Sequence, residues 1–178
     1  MSTVLISSFE ELNDKIKQVL IWLYKNEHFL ITNTANEGSI THKFAEYIQF
    51  RFPEWNVDCE YNRRGEDVPE DLPNQDTSYS DVIIHLRNTQ YNLVVIEAKR
   101  VRTKNSTNYE INEHDKSKIK TYVESPDYHY QFGLWIYFHR KIEEAKLCWF
   151  VSQNGKCVSW QQDGQSSTKT LKRNFPND

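Results

Sequence analysis

Asp81 and the triplet Glu97-Ala98-Lys99 are residues whose types and spacing suit chemistry. Asp81 opens the run Ser80-Asp81-Val82-Ile83-Ile84-His85-Leu86, and a second run, Asn92-Leu93-Val94-Val95-Ile96-Glu97-Ala98-Lys99, follows a polar turn. The two runs read as a hairpin. With the turn centred on Thr89, Asp81 falls opposite Glu97, and opposed residues of an antiparallel pair project to the same face. Side chains alternate along a strand, so Lys99 shares that face and Ala98 points away. Two facing carboxylates repel, and burying them uncompensated is costly, so positive charge is expected beside them. A hard divalent cation such as Mg²⁺ suits the position, because it takes oxygen ligands, commonly one or two carboxylates with waters and substrate phosphate. Such an ion makes bound water a nucleophile and stabilises charge on a phosphate. Lys99 would then orient the water or hold a phosphate oxygen. The simpler alternative is a strand-end ion pair between Glu97 and Lys99, with Asp81 meeting solvent.

The elements that must position these residues follow from periodicity. Residues 8–25 repeat apolar side chains at helical spacing (Phe9, Leu12, Ile16, Val19, Leu20, Leu23), and Ser8 with Glu11 makes a capping box. A second helix is predicted over 39–52, on the stripe Ile40, Phe44, Tyr47 and Ile48 with Pro53 beyond its end, and Glu37 sits just before its start. Strands are predicted over 56–61, 81–86, 93–99, 131–139, 146–151 and 156–160. Several are apolar on both faces, as in a covered sheet. A third helix spans about 113–123, carrying Ile119, Tyr122 and Val123. The polar stretches 63–79 and 102–112 read as surface loops, and residues 165–178 as a frayed tail. The order of elements indicates an α/β fold with a mixed sheet flanked by helices.

The whole chain bounds the function. Its 178 residues suit a single domain spanning 1–178, and 38 % apolar, 26 % charged and 13 % aromatic residues are the composition of a folded globular protein. The net charge of −3 excludes a globally basic nucleic-acid footprint, so any phosphate contact must be local. Basic residues do cluster at Lys99, Arg100, Arg102 and Lys104, at Lys169, Lys172 and Arg173, and at Arg63 and Arg64. Cys59, Cys148 and Cys157 form no metal-binding spacing and read as reduced core or near-core residues. No apolar run approaches the ~20 residues of a membrane span, and no charged segment leads into one at the N-terminus, so the expected compartment is cytoplasmic and no membrane partner is expected. Glycine-rich phosphate loops, GxSxG and HExxH are absent.

Asp81, fifteen intervening residues and Glu97-Ala98-Lys99 resemble the PD-(D/E)XK signature of the restriction-endonuclease-like superfamily. Further segments resemble a group of bacterial proteins within it: Asn36-Glu37-Gly38-Ser39-Ile40-Thr41-His42 opening a helix, Asp58-Cys59-Glu60-Tyr61-Asn62-Arg63 in the first strand, and Asp115 with Lys118-Ile119 in the later helix. The resemblance covers residues 37–138. Ser80 replaces the proline of the signature, a position that varies in the superfamily.

The resemblance implies a restriction-endonuclease-like core, with a central mixed β-sheet flanked by helices. It implies a nuclease that uses Mg²⁺ or Mn²⁺ to hydrolyse phosphodiester bonds, in DNA before RNA. In that reading Asp81, Glu97 and the Ala98 carbonyl bind metal, Glu37 completes the site with Glu46 as the fallback, and Lys99 assists the attacking water. Lys118 matches a later-helix basic position that contacts the scissile phosphate, and a solvated helix lysine is the alternative. His42, one turn beyond Glu37, is a weaker phosphate contact or an ordinary helix-face histidine. His85 and His139 read as structural, Glu60 as a supporting or surface acid, and Trp135, Tyr137, Phe138, Trp149 and Phe150 as core. Many such folds act as homodimers. The alternative function is a non-catalytic module of the same fold that binds nucleic acid or a protein.

Overall fold

Ser8 starts the first helix, its hydroxyl accepting the Glu11 N–H at 3.1 Å and satisfying one of the donors a helix start leaves free. In the computed structural model, which describes residues 8–33, 35–61, 63–64, 68–69, 79–101, 110–128, 130–153 and 156–161, this helix, α1, is Phe9–Asn26. Next come α2 (His28–Thr32), α3 (Glu37–Arg51), β1 (Asn56–Tyr61), β2 (Arg63–Arg64), β3 (Val68–Pro69), β4 (Ser80–His85) and β5 (Asn92–Arg100). Then α4 (Glu113–Glu124), β6 (Tyr130–Phe138), a 3₁₀ turn (Ile142–Glu144), β7 (Lys146–Gln153) and β8 (Lys156–Gln161) complete the described elements.

The main sheet has six strands in the order β1-β4-β5-β6-β7-β8. It is mixed: β5 and β6 run parallel and the other neighbours antiparallel. Alternation divides the sheet's side chains between two apolar layers. Val82, Ile84, Val94, Ile96, Ala98, Leu134 and Ile136 pack under α1 and α3. Ile83, Val95, Trp135, Tyr137 and Phe150 pack under Ile119, Tyr122 and Val123 of α4. The molecule is therefore an α/β protein with helices on both faces of a mixed sheet, as the order of elements predicts. Among the described residues no helix is long and apolar enough to cross a membrane.

The hairpin register matches a turn centred on Thr89: Val82 pairs with Ile96, Ile83 with Val95 and Ile84 with Val94. An irregularity between Ile84 and His85 then pairs His85 with Asn92. Asn88 sits in the turn with φ 59, which asparagine tolerates better than most residues.

Several expectations need correction. The second helix begins at Glu37 rather than Ser39, because the Asn36 side chain accepts the Ser39 N–H at 2.7 Å. Glu37 is thereby its first residue, where the helix dipole favours an acid. The short α2 escaped periodicity, as five residues cannot show it. Residues 63–64 and 68–69 pair as two very short strands inside a stretch expected to be loop. Cys148 is buried as expected but Cys59 is exposed. The expected loop at 102–109, the basic clusters reaching Arg102, Lys104 and Lys169–Arg173, and the tail 165–178 lie outside the described residues.

Candidate active site at the end of the β4–β5 hairpin

Asp81 and Glu97 continue the face on which Ile83 and Val95 meet α4, one residue pair beyond Val82 and Ile96. Asp81 reaches across to β5, where its Oδ2 accepts the Ala98 N–H at 2.6 Å. Glu97 is only 2 % exposed. In the parallel pairing with β6, Glu97 lies beside Trp135 and Lys99 beside Tyr137, with the two aromatic rings stacked 6.0 Å apart. The floor of the site is thus buried and aromatic on one side.

The positive charge expected beside the acids comes from two lysines on different elements. Lys118 of α4 places Nζ 2.8 Å from Glu97 Oε1, with side chains 12 % and 3 % exposed, and donates to the Tyr79 carbonyl at 2.7 Å. Lys99 Nζ lies 3.6 Å from Glu37 Oε1, in a more open setting. The other Glu37 oxygen accepts the Arg100 N–H at 3.1 Å. Glu37 therefore comes from the opposite helical layer and meets the site at the end of β5. The structure brings Glu37, Asp81, Glu97, Lys99 and Lys118 into one neighbourhood.

Their charges are not balanced. Burial, reinforced by the Asp81 charge and opposed by Lys118 and Lys99, pushes the Glu97 carboxyl up to about 8. Burial raises Asp81 too, against the Ala98 N–H and the two lysines. Burial works against the Lys99 ammonium, but Asp81, Glu37, Asp115 and Glu97 together outweigh it and hold the group above the ordinary lysine value. Lys99 is consequently a firm cation at neutral pH. It can orient water or stabilise an anion, but it does not serve as a free base.

Helix α4 owes its position to two features that sequence reasoning missed. A Cβ at Gly133 of β6 would stand 2.2 Å from Ile119 Cγ2 and 3.1 Å from Val123 Cγ2, so glycine lets the helix lie close against the sheet. Asp115, buried at 5 % exposure, accepts the Trp135 indole N–H at 3.3 Å. Asn112 caps the helix by accepting the Asp115 N–H at 2.8 Å, and its own amide donates to Asp115 Oδ2 at 3.2 Å. Lys118 follows Asp115 by one turn and so inherits this anchoring. The Asn112-x-x-Asp115 spacing was the available signal; the glycine contact left none.

Other predicted residues stand elsewhere. His42 and Glu46 line a groove of about 380 Å³ between α3 and β1, with Gln49, Phe50, Val57 and Cys59. Glu46 is paired there with Lys43 at 2.7 Å. His139 accepts the Lys141 N–H, and its backbone oxygen accepts the Tyr24 hydroxyl at 2.6 Å, a structural link to α1. A further polar cluster went unforeseen. Asp58 of β1 lies 2.7 Å from His85 Nε2, and Arg87 donates to both of its oxygens, the Nε bond measuring 2.9 Å. It stands at the opposite end of β4 from Asp81.

Among the described residues no three His, Cys, Asp or Glu side chains converge closely enough as they stand to enclose a cation. The donor set nevertheless fits a hard divalent ion: Asp81 and Glu97 present carboxylate oxygens on one sheet face, and burial favours the protonated form of both. No protein-family model, curated protein or solved structure matches the chain.

Proposed function

We propose that this protein is a Mg²⁺- or Mn²⁺-dependent nuclease with a restriction-endonuclease-like core, hydrolysing phosphodiester bonds in DNA in preference to RNA. The observation that carries this reading is the pair of acids Asp81 and Glu97, one of them fully buried, sharing a sheet face with Lys99 and met from α4 by Lys118. Buried acids cost stability even when partnered, and clusters with perturbed pKa values concentrate at functional sites. The PD-(D/E)XK resemblance supplies the reaction class, since fold alone does not define function.

Asp81 and Glu97, with the Ala98 backbone carbonyl, would hold the divalent ion. When bound, that ion supplies charge neutralisation at the phosphate and lowers the pKa of a water. The remaining work falls to the protein's own side chains. Lys99 stays charged, so its ammonium orients the attacking water and stabilises negative charge as it develops on phosphate oxygens. Glu37, reaching in from α3, pairs with Lys99 and accepts the Arg100 backbone N–H. The Ala98 N–H holds the Asp81 carboxylate toward β5. Trp135 and Tyr137 exclude water from one wall.

The purified chain incubated with Mg²⁺ or Mn²⁺ is expected to cut duplex, single-stranded or branched DNA, and Lys99→Ala to abolish cutting while leaving the fold intact. Intact DNA and RNA across these substrates would contradict catalysis. A second reading, a non-catalytic nucleic-acid or protein-binding module of the same fold, draws support from the net charge of −3 and from the engagement of Lys99 and Lys118 with acids. Mg²⁺ calorimetry separates the two. Binding lost in Asp81→Ala favours the enzyme, and absence of binding favours the module.

A further inference from the structure

Lys118 makes contacts that phosphate binding does not explain. Its ammonium stands on Oε1 of Glu97, the carboxylate that the proposed function assigns to a divalent cation. An oxygen 2.8 Å from an ammonium has no room on that side for a second cation, and two positive charges so close repel. The same ammonium donates to the carbonyl of Tyr79, two residues before Asp81. Lys118 therefore ties the start of β4 to the buried acid of β5 through one flexible side chain. Its backbone is held firmly by the Asn112 cap, the Asp115–Trp135 bond and the close approach at Gly133. The four-carbon stem can swing while the helix stays in place.

We propose that Lys118 is a displaceable internal counter-ion: in the metal-free protein its ammonium occupies the cation's side of Glu97, and it leaves both Glu97 and the Tyr79 carbonyl when a divalent cation binds. This inference rests on the assignment of Asp81 and Glu97 to a cation. Two consequences follow. When Glu97 ionises, it is never left without a positive partner. Cation binding is also coupled to the segment that leads into Asp81, because one group holds both.

The direct test is reductive methylation of lysines in the full-length chain without nucleic acid, read by peptide mass spectrometry with and without saturating Mg²⁺. Calorimetry on the same sample establishes whether Mg²⁺ is bound. Labelling of Lys118 is expected to rise several-fold with Mg²⁺, while Lys116 and Lys120 on the same helix stay constant. Bound Mg²⁺ with unchanged Lys118 labelling overturns the inference and leaves the nuclease reading standing. No Mg²⁺ binding at all overturns both. As a second measure, Lys118→Met is expected to lower the melting temperature of the metal-free chain, and saturating Mg²⁺ is expected to shrink that loss. An equal or larger loss with Mg²⁺ overturns the proposal.

Discussion

The two ends of β4 bury acids in opposite electrostatic states. At one end Asp58 is answered by two partners: burial favours its protonated form, but hydrogen bonds from Arg87 and His85 outweigh burial and hold the carboxyl below its ordinary value. At the other, Asp81 and Glu97 share their surroundings with each other, and burial leaves both above their ordinary values despite Lys99 and Lys118. The first end is a satisfied cluster that joins β1 to the hairpin turn, with Arg87 also accepted at its backbone N–H by Asn56. At the second, burial holds both acids toward their protonated forms even beside two lysines. On the proposed reading, the contrast separates a polar group kept for the fold from one kept for a ligand, which burial alone does not.

The largest effect that sharpens this comparison is on cleavage. Asp81→Asn and Lys99→Ala are expected to lower the rate on labelled duplex DNA by about 10²–10³-fold or more, while Asp58→Asn leaves it within a small factor. Equal loss from both ends would erase the distinction. On stability the order reverses. Asp58→Ala is expected to cost about 1–2 kcal/mol, at the low end of charged hydrogen bonds because the Arg87 side chain is 53 % exposed. That corresponds to a fall in melting temperature of about 2–4 °C per kcal/mol for a chain of this size. Gly133→Ala joins the two measures, overpacking α4 by about 1–3 kcal/mol and slowing cleavage by shifting Lys118.

The pH dependences should also have opposite signs. The Asp58 carboxyl is depressed in the folded state, so its contribution is present above its unfolded value and is lost as pH falls through the folded one. His85 is depressed as well, burial outweighing Asp58, so protonation in the unfolded chain likewise erodes stability in acid. Glu97 is raised, from 4.5 to about 8, so the folded state holds its proton longer and this contribution falls as pH rises across that window. Denaturant titrations from acid to pH 8 are expected to show Glu97→Gln removing the fall at high pH and Asp58→Asn removing part of the fall in acid. A matching slope from both variants would contradict the electrostatic contrast. The smallest expected effect is that of His42→Ala in the α3–β1 groove, within about 0.5 kcal/mol and without change in cleavage.

The hairpin register was legible because two apolar runs flank a polar turn symmetrically, and alternation then placed Asp81, Glu97 and Lys99 on one face. The need for positive charge there was legible too, since two acids on one face repel. That Lys118 meets Glu97 was not readable from spacing: the contact joins a helix to a strand, and it depends on how closely Gly133 lets the helix approach. Glu37 was recognised through resemblance, but its place inside the helix turned on the Asn36 cap one residue earlier. The Asp58, His85 and Arg87 cluster was hidden because its members come from β1, the end of β4 and the turn, where the pairing register shifts. Local pattern reveals faces; contacts between elements emerge only with packing.

The central claim is that Asp81 and Glu97 form a divalent-cation site, and the most direct measurement is an anomalous difference map from crystals of the full chain soaked in Mn²⁺. A peak contacted by the Asp81 and Glu97 carboxylates is the predicted result. A saturating soak that leaves this position without a peak would contradict the account.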